Sequence, residues 1–250
     1  MIGAGVDLPI IDLIRYRTEP YPCPYLPLEI ASLEYRIPAR VTAQAYQDLL
    51  RRGWRRFGRD FFRPACSHCL KCRSLRINVD EFKPSRSQRR ALQHNSRMRV
   101  VVQAPTVTRD HMRIYRAYHE DMHYRRAWPR QTISEASYQE TFLAGDNGFA
   151  REFLYFDGER LVGVGLADVV ADALSSVYFF NDPDWRSQAL GVFSVLQQLR
   201  FAQEQGLRYQ YLGYWISECQ SMSYKSRYRP HEILRSYPAD DEEPTWTRAE

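Results

Sequence analysis

Three cysteines within seven residues place the strongest restriction on how this chain of 250 residues can fold. Cys66, Cys69 and Cys72 follow the spacing Cys-x2-Cys-x2-Cys, so their thiolates can converge on one soft metal ion from a single loop. A fourth ligand must come from elsewhere; Cys23, flanked by two prolines, is the best candidate and His68 ranks second. Zinc and an iron–sulfur cluster both accept four thiolates, so the pattern predicts a metal site without choosing between them.

The amino-terminal segment indicates the cellular compartment in which such a site would lie. It lacks the basic-then-apolar order of a secretory signal, and no apolar run approaches the roughly 18–20 residues that a membrane span needs. We therefore expect a cytoplasmic protein with no membrane partner. Thiols stay reduced in that compartment, which favours metal binding over a disulfide framework. The fifth cysteine, Cys219, is expected to be a buried thiol.

Basic charge is concentrated in one part of the chain. Residues 51–100 contain 13 Arg and 2 Lys against 3 acidic residues, a net charge of +12, whereas the other 200 residues carry −7. Only 3 of the 35 basic residues in the whole chain are Lys. Guanidinium groups suit bidentate phosphate contacts and stacking on bases. The pattern predicts a polyanionic partner, with a solvated basic face as the alternative.

Residues 83–90 carry the most specific phosphate-binding signal. Ser85 and Gln88 form a capping box that predicts a helix starting at Arg86. The first turns of such a helix present free N–H groups and a positive dipole end to an anion. The side chains that we expect to contact RNA are Arg55, Arg56, Lys83, Arg86, Arg89 and Arg90.

The order of elements predicts an α+β fold in two domains. Residues 1–104 are expected to form a small Cys-rich, Arg-rich, metal-binding domain. Residues 105–238 follow the order helix, helix, three strands, long helix, strand, which resembles the mixed α/β core of GNAT (acyl-CoA N-acyltransferase-like) enzymes. The acidic residues 239–250 are expected to form a disordered tail.

The individual elements follow from hydrophobic periodicity and capping signals. Helices are predicted over 39–52, 86–94, 108–124, 132–143 and 187–205. Strands are predicted over 54–62, 75–79, 99–103, 152–156, 161–169, 173–180 and 209–216.

The start of the predicted long helix bears on which acyl carrier the chain uses. GNAT enzymes carry a Gln/Arg-x-x-Gly-x-Gly/Ala loop there, which holds the pyrophosphate of acetyl-CoA. This chain has Arg186-Ser-Gln-Ala189-Leu-Gly191, in which Ala189 replaces the first glycine. Coenzyme A is therefore not expected, and the acyl-bearing end of an aminoacyl-tRNA can take the same place.

A second motif lies within the predicted helix over 108–124. His119-Glu-Asp-Met-His123 matches the His-Glu-x-x-His pattern of zinc proteases. Its neighbours are Tyr and Arg rather than apolar residues, and no obvious third ligand follows within the next dozen residues. The pattern therefore favours a polar helix face beside a cleft. Aromatic residues at the predicted strand ends, among them Tyr178 and Tyr214, are suited to the floor of a pocket.

Several longer motifs resemble the arginyl-tRNA–protein transferase family. They are Cys23-Pro-Tyr25-Leu, Gly53-Trp-Arg-Arg-Phe-Gly58, the three-cysteine loop, Phe82-x-Pro-Ser85-Arg-Ser-Gln-Arg-Arg90, Tyr211-Leu-Gly-Tyr214-Trp-Ile and Met222-x-Tyr-Lys225-x2-Tyr228-x-Pro-x-Glu232. The length and the cysteine loop look like the bacterial branch, the aspartate/glutamate leucyltransferases. The resemblance covers most of residues 20–235.

The resemblance implies transfer of an amino acid from aminoacyl-tRNA to a protein amino terminus. In the bacterial branch, leucine from leucyl-tRNA is conjugated to an amino-terminal Asp or Glu, which marks the protein for N-degron proteolysis. It also implies a GNAT-like catalytic half and a cytoplasmic location. Three alternatives stay open: arginyl transfer in the same reaction, a CoA-dependent N-acetyltransferase with a zinc module, and a nucleic-acid-binding zinc protein without activity.

The reaction needs few catalytic groups, because the donor is already an activated ester. An acceptor α-amine with a pKa of roughly 7.7–8.0 is partly deprotonated near neutral pH. Direct attack then requires no acyl-enzyme, and proximity and oxyanion stabilisation supply most of the acceleration. We expect Asp182 to hold or deprotonate the α-amine, and Tyr178 or Tyr214 to orient the ester or protonate the departing ribose oxygen.

The acidic side chain of the acceptor needs a cation. Lys225 and Arg227 are the expected ligands for that carboxylate, and His231 is expected to lie behind them.

Overall fold

A computed structural model describes residues 10–145 and 148–249. Its helices are α1 (Ala43–Arg51), α2 (Arg86–His94), α3 (Arg109–Arg126), α4 (Glu135–Tyr138), α5 (Leu190–Glu204) and α6 (Gln220–Ser223). A π-helical turn follows α4 (Gln139–Leu143), and 3-10 turns occupy Pro183–Gln188 and Tyr224–Arg227. None of the helices in these ranges has the length and apolar character that crossing a membrane requires.

The strands number fourteen in the described ranges. They are β1 (Asp12–Arg17), β2 (Tyr21–Pro22), β3 (Ile30–Ala31), β4 (Leu33–Pro38), β5 (Arg55–Phe57), β6 (Asp60–Pro64), β7 (Arg73–Asn78), β8 (Arg99–Gln103), β9 (Ala150–Asp157), β10 (Arg160–Val169), β11 (Ala173–Asn181), β12 (Tyr209–Trp215), β13 (His231–Leu234) and β14 (Trp246–Ala249).

Two main sheets organise these strands. The large sheet has the order β14-β13-β7-β12-β11-β10-β9-β8, and the small sheet has the order β1-β4-β6-β5. In the large sheet β11 and β12 run parallel, and the other neighbouring strands run antiparallel. The architecture is therefore mixed α/β, with β2 and β3 forming a separate pair.

The large sheet separates two apolar cores. Consecutive residues of a strand point to opposite faces, and Ala173 and Leu174 of β11 accordingly belong to different cores. On the Leu174 face, α2 and α5 cover the sheet. On the Ala173 face, α1 and the small sheet lie beside α3 and α4.

The large sheet crosses the boundary expected at residue 104. Strands β7 and β8 come from the first 104 residues, yet β7 pairs with both β12 and β13 and β8 pairs with β9. Strand β7 belongs to this sheet because its residues Leu75 and Ile77 are fully buried in the core that α5 covers.

The single strand predicted over 54–62 is a hairpin formed by β5 and β6. Gly58 makes the turn with a φ of +55°, a conformation that glycine adopts without steric cost. A side chain there would also collide with the backbone oxygen of Glu140, since an added Cβ would lie 2.1 Å from it.

The carboxyl-terminal segment expected to be disordered is ordered in the structure. Strand β14 pairs with β13 along its length. Ahead of it, Asp240 accepts a hydrogen bond from Arg15 (2.8 Å) and Glu243 faces Arg51 (3.4 Å). The acidic residues that suggested a disordered tail therefore form ion pairs with arginines of the first hundred residues.

Candidate functional site

The strands β11 and β12 separate toward their carboxyl ends. They pair only between Ala173–Ser175 and Tyr209–Tyr211, although β11 continues to Asn181 and β12 to Trp215. Arg55 of the small sheet reaches into this region and donates from Nη1 to Ser175 Oγ (2.8 Å). Separated parallel strands leave their facing backbone groups without ladder partners, and the Arg55 guanidinium takes up one of them by donating to Ser176 O as well.

A continuous row of rings lies along the face covered by the small sheet and α3. The ring centroids are separated by 6.3 Å for Tyr214–Phe62, 5.4 Å for Phe62–Phe57, 5.9 Å for Phe57–Phe142 and 5.2 Å for Phe142–Tyr178. We call these five residues the aromatic row. Phe57 in the middle is 37% exposed. The row therefore runs from Tyr178 at one end to Tyr214 at the other, and Phe57 is its apolar contact with the surface.

Tyr178 is paired with a histidine. Its hydroxyl lies 3.2 Å from His119 Nε2. Burial raises the pKa of the Tyr178 phenol above its usual value and lowers the pKa of His119 below 6.5. A protonated phenol therefore faces a neutral imidazole at neutral pH. The sequence placed His119 on a polar helix face, and no signal in it indicated this partner.

Tyr214 does not offer its hydroxyl to a substrate. The hydroxyl donates toward Phe62 O (2.9 Å) and lies 3.2 Å from Gly53 O. Burial raises its pKa well above the usual value. The expectation that Tyr214 orients the ester does not fit, because its polar atom anchors β12 to the small sheet.

Asp182 is held by two arginines. Its carboxylate accepts hydrogen bonds from Arg113 Nη1 (3.0 Å), Arg160 Nη2 (2.9 Å) and the Asp184 N–H (3.2 Å). Burial on its own would raise the pKa of Asp182, but these hydrogen bonds lower it below its usual value. A carboxylate with a lowered pKa is a weak base, so the expected deprotonation of the amine is not supported. Asp182 instead fixes the turn that follows β11.

The three residues expected to bind the acceptor carboxylate differ in access. Lys225 is buried and donates from Nζ to Tyr214 O (2.6 Å); burial, aided by the charge of Arg55, lowers its pKa to about 7. His231 is also buried, with Nδ1 3.1 Å from Tyr228 O. Arg227 is exposed. Of the three, Arg227 is the side chain that can meet an incoming carboxylate.

Two of the arginines expected to contact RNA are internal. Arg56 donates to both carboxylate oxygens of Asp168, at 3.0 Å from Nε and 2.7 Å from Nη2, and Tyr46 donates to the same carboxylate (2.8 Å). Arg55 lies between β11 and β12, as described above. The basic segment had suggested RNA contact for both. In the structure, however, both guanidinium groups are buried and form hydrogen bonds inside the protein.

The other four expected RNA ligands lie on the surface. The capping box predicted from Ser85 and Gln88 is present, with Gln88 N donating to Ser85 Oγ and Ser85 N donating to Gln88 Oε1. The exposed side chains of this helix start are Lys83, Arg86, Arg89 and Arg90. We call them the basic face of α2. Among the described residues, none of these four takes part in an ion pair.

Helix α2 connects the segments that follow the two separated strands. Near its start, Gln88 Nε2 donates to Arg227 O (3.3 Å), which lies in the turn after β12 and α6. At its end, Asn95 Nδ2 donates to Gln188 O (2.7 Å), which lies in the turn after β11. Helix α2 is therefore fixed beside the segments that follow the carboxyl ends of β11 and β12.

The loop before α5 keeps a glycine-like backbone. Ala189 adopts φ 53° and ψ 38°, and its N–H donates to Arg186 O (3.3 Å). This left-handed conformation normally favours glycine. The replacement of glycine by Ala189 therefore changes the side chain without changing the type of turn.

The cysteines gather near one another. Burial, together with the nearby thiols of Cys23, Cys66 and Cys69, raises the pKa of Cys72 to about 12. Cys219 joins this group, because Cys23 and Cys72 pack against the apolar cluster that contains it.

Thiolates suit zinc or an iron–sulfur cluster chemically. In residues 10–145 and 148–249, however, no three His, Cys, Asp or Glu side chains are arranged to hold a metal ion. The donor types fit the predicted centre, whereas a formed ligand set is not seen in that part of the chain.

Similarity to solved structures is weak. The structure of FemX has a TM-score of 0.45 and 10% sequence identity, over 68% of this chain and 59% of that one. The ribosomal-protein-S18-alanine N-acetyltransferase from Escherichia coli has a TM-score of 0.33 and 16% identity, over 44% of this chain and 63% of that one. Scores at this level support no conclusion about fold or activity.

Sequence relatives are much closer. An aspartate/glutamate leucyltransferase from Helicobacter hepaticus is 37% identical over 94% of this chain and 97% of its own. One from Campylobacter jejuni is 39% identical over 85% of this chain and 89% of its own. One from Pseudomonas aeruginosa is 37% identical over 88% of this chain and 92% of its own.

Two family models match consecutive parts of the sequence. The model described as arginine-tRNA-protein transferase, N terminus, matches residues 21–90, and the model for the C terminus of the same family matches residues 110–235. The first match contains the basic face of α2 and the cysteine loop, and the second contains all but the first residue of α3, together with β11 and β12. The chain belongs to the arginine-tRNA–protein transferase family.

Proposed function

We propose that this protein conjugates leucine from leucyl-tRNA to proteins whose first residue is Asp or Glu, in the cytoplasm, and so marks them for N-degron proteolysis. The three relatives described above share the name aspartate/glutamate leucyltransferase. The observation that carries the proposal is the position of α2, which bears the basic face, beside the segments that follow the carboxyl ends of β11 and β12. A bound tRNA would thus have its acylated end next to the gap between the strands.

The basic face of α2 supplies the RNA contacts in this proposal. Residues 82–109 contain seven basic residues and no acidic one. Exposed guanidinium groups without acidic partners bind phosphates bidentately and release counterions when they do so. Arg55 and Arg56 have no part in this contact.

The aromatic row supplies the surface for the transferred amino acid. Phe57 is the exposed member of this row, and the buried Phe142 packs edge-on against it between Tyr214 and Tyr178. Burial of a leucyl side chain against such rings is favourable by about 1.5–3 kcal/mol. An apolar surface favours leucine over arginine as the transferred residue.

The chemistry is direct aminolysis of the ester. The α-amine nitrogen bonds to the carbonyl carbon, the bond from that carbon to the ribose oxygen breaks, and one proton passes from nitrogen to the ribose oxygen. Tyr178 orients the ester and delivers this proton. Arg227 binds the Asp or Glu side chain of the acceptor, and Asp182 keeps the turn after β11 in place.

The proposal assigns a GNAT-like fold to the transfer half, residues 105–238. Its support is the order of α3, α4, β9, β10, β11, α5 and β12, together with the separation of β11 from β12. Residues 1–104 provide the RNA surface and the cysteine loop, while also lending β7 and β8 to the large sheet.

A zinc ion or an iron–sulfur cluster at Cys23, Cys66, Cys69 and Cys72 is part of the proposal. It would tie the loop after β6 to the segment around β2, and no step of the transfer depends on it. Elemental analysis of protein purified without oxygen is expected to find zinc, or iron with sulfide, and a Cys69→Ser variant should lose it. If the wild-type protein contained no metal, and Cys69→Ser were as stable as the wild type, this part of the proposal would be contradicted.

A transfer assay tests the proposed function. Purified protein is mixed with radiolabelled leucyl-tRNA or arginyl-tRNA and with peptides that begin with Asp, Glu or Ala. Leucine on the Asp and Glu peptides alone is the expected result. Arginine transfer or acetylation from acetyl-CoA would each assign a different donor, and tRNA binding without any modified peptide would indicate a binding protein.

A further inference from the structure

His119 lies at the Tyr178 end of the aromatic row. It projects from α3 toward β11, so that its Nε2 is 3.2 Å from the Tyr178 hydroxyl. The two rings are also stacked, with centroids 6.3 Å apart and planes inclined by 22°. A helix and a strand that are distant in sequence thus hold one phenol and one imidazole in a fixed relation.

The surroundings of His119 are aromatic. Tyr115, Trp128 and Tyr118 place their ring centroids 4.4, 5.7 and 5.9 Å from that of His119. Burial among these rings lowers the pKa of the imidazole. The imidazole is therefore neutral at the pH at which an α-amine is deprotonated.

Charged groups at this end of α3 are engaged with one another. Asp121 accepts hydrogen bonds from Arg125 (3.1 Å) and from Arg186 of the turn before α5. The phenol of Tyr118 is close enough to feel Asp121 and Arg125, and burial raises its pKa. The groups that face His119 directly are thus uncharged near neutral pH. Protonation of the His119 imidazole is therefore the step that changes the charge at this place.

The other candidates for proton transfer are committed elsewhere. Asp182 is ion-paired with Arg113 and Arg160, and the hydroxyl of Tyr214 is bonded to the backbone of the small sheet. Tyr178 differs, because its partner is a titratable ring rather than a carbonyl or an arginine.

We propose that His119 is a positioning residue for aminoacyl transfer, acting through Tyr178. The neutral Nε2 accepts the hydrogen bond of the Tyr178 hydroxyl. When the attacking α-amine passes a proton to the Tyr178 oxygen, the phenolic proton moves to His119. The same proton then returns through Tyr178 to the departing ribose oxygen, so both residues end in their starting forms. This inference rests on the proposed function, because it needs an amine and an ester.

Variants of His119 test the proposal in the full-length protein with leucyl-tRNA and an Asp peptide. His119→Leu removes the acceptor and should lower kcat about 100-fold with KM for the peptide little changed. His119→Gln keeps a hydrogen-bonding group near the Nε2 position and should recover part of the loss. His123→Gln, one turn further along α3 with its ring bonded to Trp128 O (2.7 Å), is the control and should stay within about twofold. Circular dichroism establishes that each variant is folded.

The pH profile separates proton transfer from a structural role. The ratio of the wild-type kcat to that of His119→Gln should be large at pH 8 and fall toward one as the pH drops below 6.5, because protonation of His119 removes its acceptor. A ratio that does not change with pH, or a His119→Leu variant as active as wild type, would overturn the inference. A wild-type protein that transfers no leucine at all would instead overturn the proposed function.

Discussion

Arg56 shows at the scale of one residue how burial decides between two roles. Its position in the most basic segment suggested RNA contact. In the structure its guanidinium, 2% exposed, is bonded to Asp168 of β10 and so ties the small sheet to the large one. A buried guanidinium is retained only with a good partner, and the partner lies more than a hundred residues away in the chain. The local sequence could not reveal it.

Removal of that partner should be costly. Asp168→Ala removes the buried carboxylate that Arg56 and Tyr46 share, although Arg56 keeps its hydrogen bond to Gly58 O, and we expect the free energy of unfolding to fall by about 3–5 kcal/mol. Urea denaturation at pH 7 measures it. The control is Glu204→Ala, which removes the exposed pair with Arg200 and should cost less than about 0.5 kcal/mol. Equal losses for the two variants would contradict a stabilising role for Asp168.

Ala189 is predicted to be a strained position. Its φ of 53° costs an alanine about 1–2 kcal/mol that glycine avoids. Ala189→Gly should therefore raise the free energy of unfolding by about 1 kcal/mol, as measured by thermal denaturation. Ala117→Gly in the interior of α3 should lower it by a similar amount, because glycine weakens a regular helix. Destabilisation by Ala189→Gly would show that the left-handed turn is not formed.

Helices were predicted well where their caps were unambiguous. Helix α2 begins and ends where the sequence indicated, because its capping box forms as expected. The helix predicted over 132–143 instead begins at Glu135, with a capping box between Ser134 and Ser137. The chain offers similar hydroxyl groups within a few residues there, and the local pattern does not decide which of them caps the helix.

The basic face of α2 makes a prediction at the scale of the element. The combined variant Arg86→Gln, Arg89→Gln and Arg90→Gln should weaken tRNA binding and reduce the slope of log affinity against log salt by about 2–3. Filter binding over a range of salt concentrations measures both. Arg200→Gln on α5, exposed and away from α2, is the control. An unchanged slope would mean that tRNA binds elsewhere.

The carboxyl-terminal segment is also predicted to act as an element. Burial raises the pKa of Asp240, but the hydrogen bond from Arg15 and the charge of Arg36 outweigh this and lower it. Docking of the segment should therefore hold above pH 4 and weaken as the pH falls through that lowered value.

Truncation after Pro238 tests this docking at neutral pH. It should expose the arginines that the segment neutralises, increase salt-sensitive binding to unrelated RNA and lower the melting temperature. Unchanged RNA binding and unchanged melting would show that the segment is not docked.

For the whole molecule, the sequence predicted the kinds of elements better than their pairing. The α+β class, the positions of most helices and the exposed basic helix were correct. The partnership of β7 with β12 and β13 was missed, because it joins residues far apart in the chain. The contact between His119 and Tyr178 was missed for the same reason. Sequence periodicity reports which face of an element is apolar, but it does not report which distant element covers that face.

In the proposed function, one chain holds charged tRNA on α2 and passes its leucine to an acidic amino terminus between β11 and β12. A single-turnover reaction with leucyl-tRNA tests it most directly, with mass spectrometry of otherwise identical peptides that begin with Asp or Ala. We expect the Asp peptide to gain one leucine residue while the Ala peptide does not, and Tyr178→Phe to slow the gain about 100-fold. Recovery of both peptides unchanged while the tRNA is fully bound would contradict it.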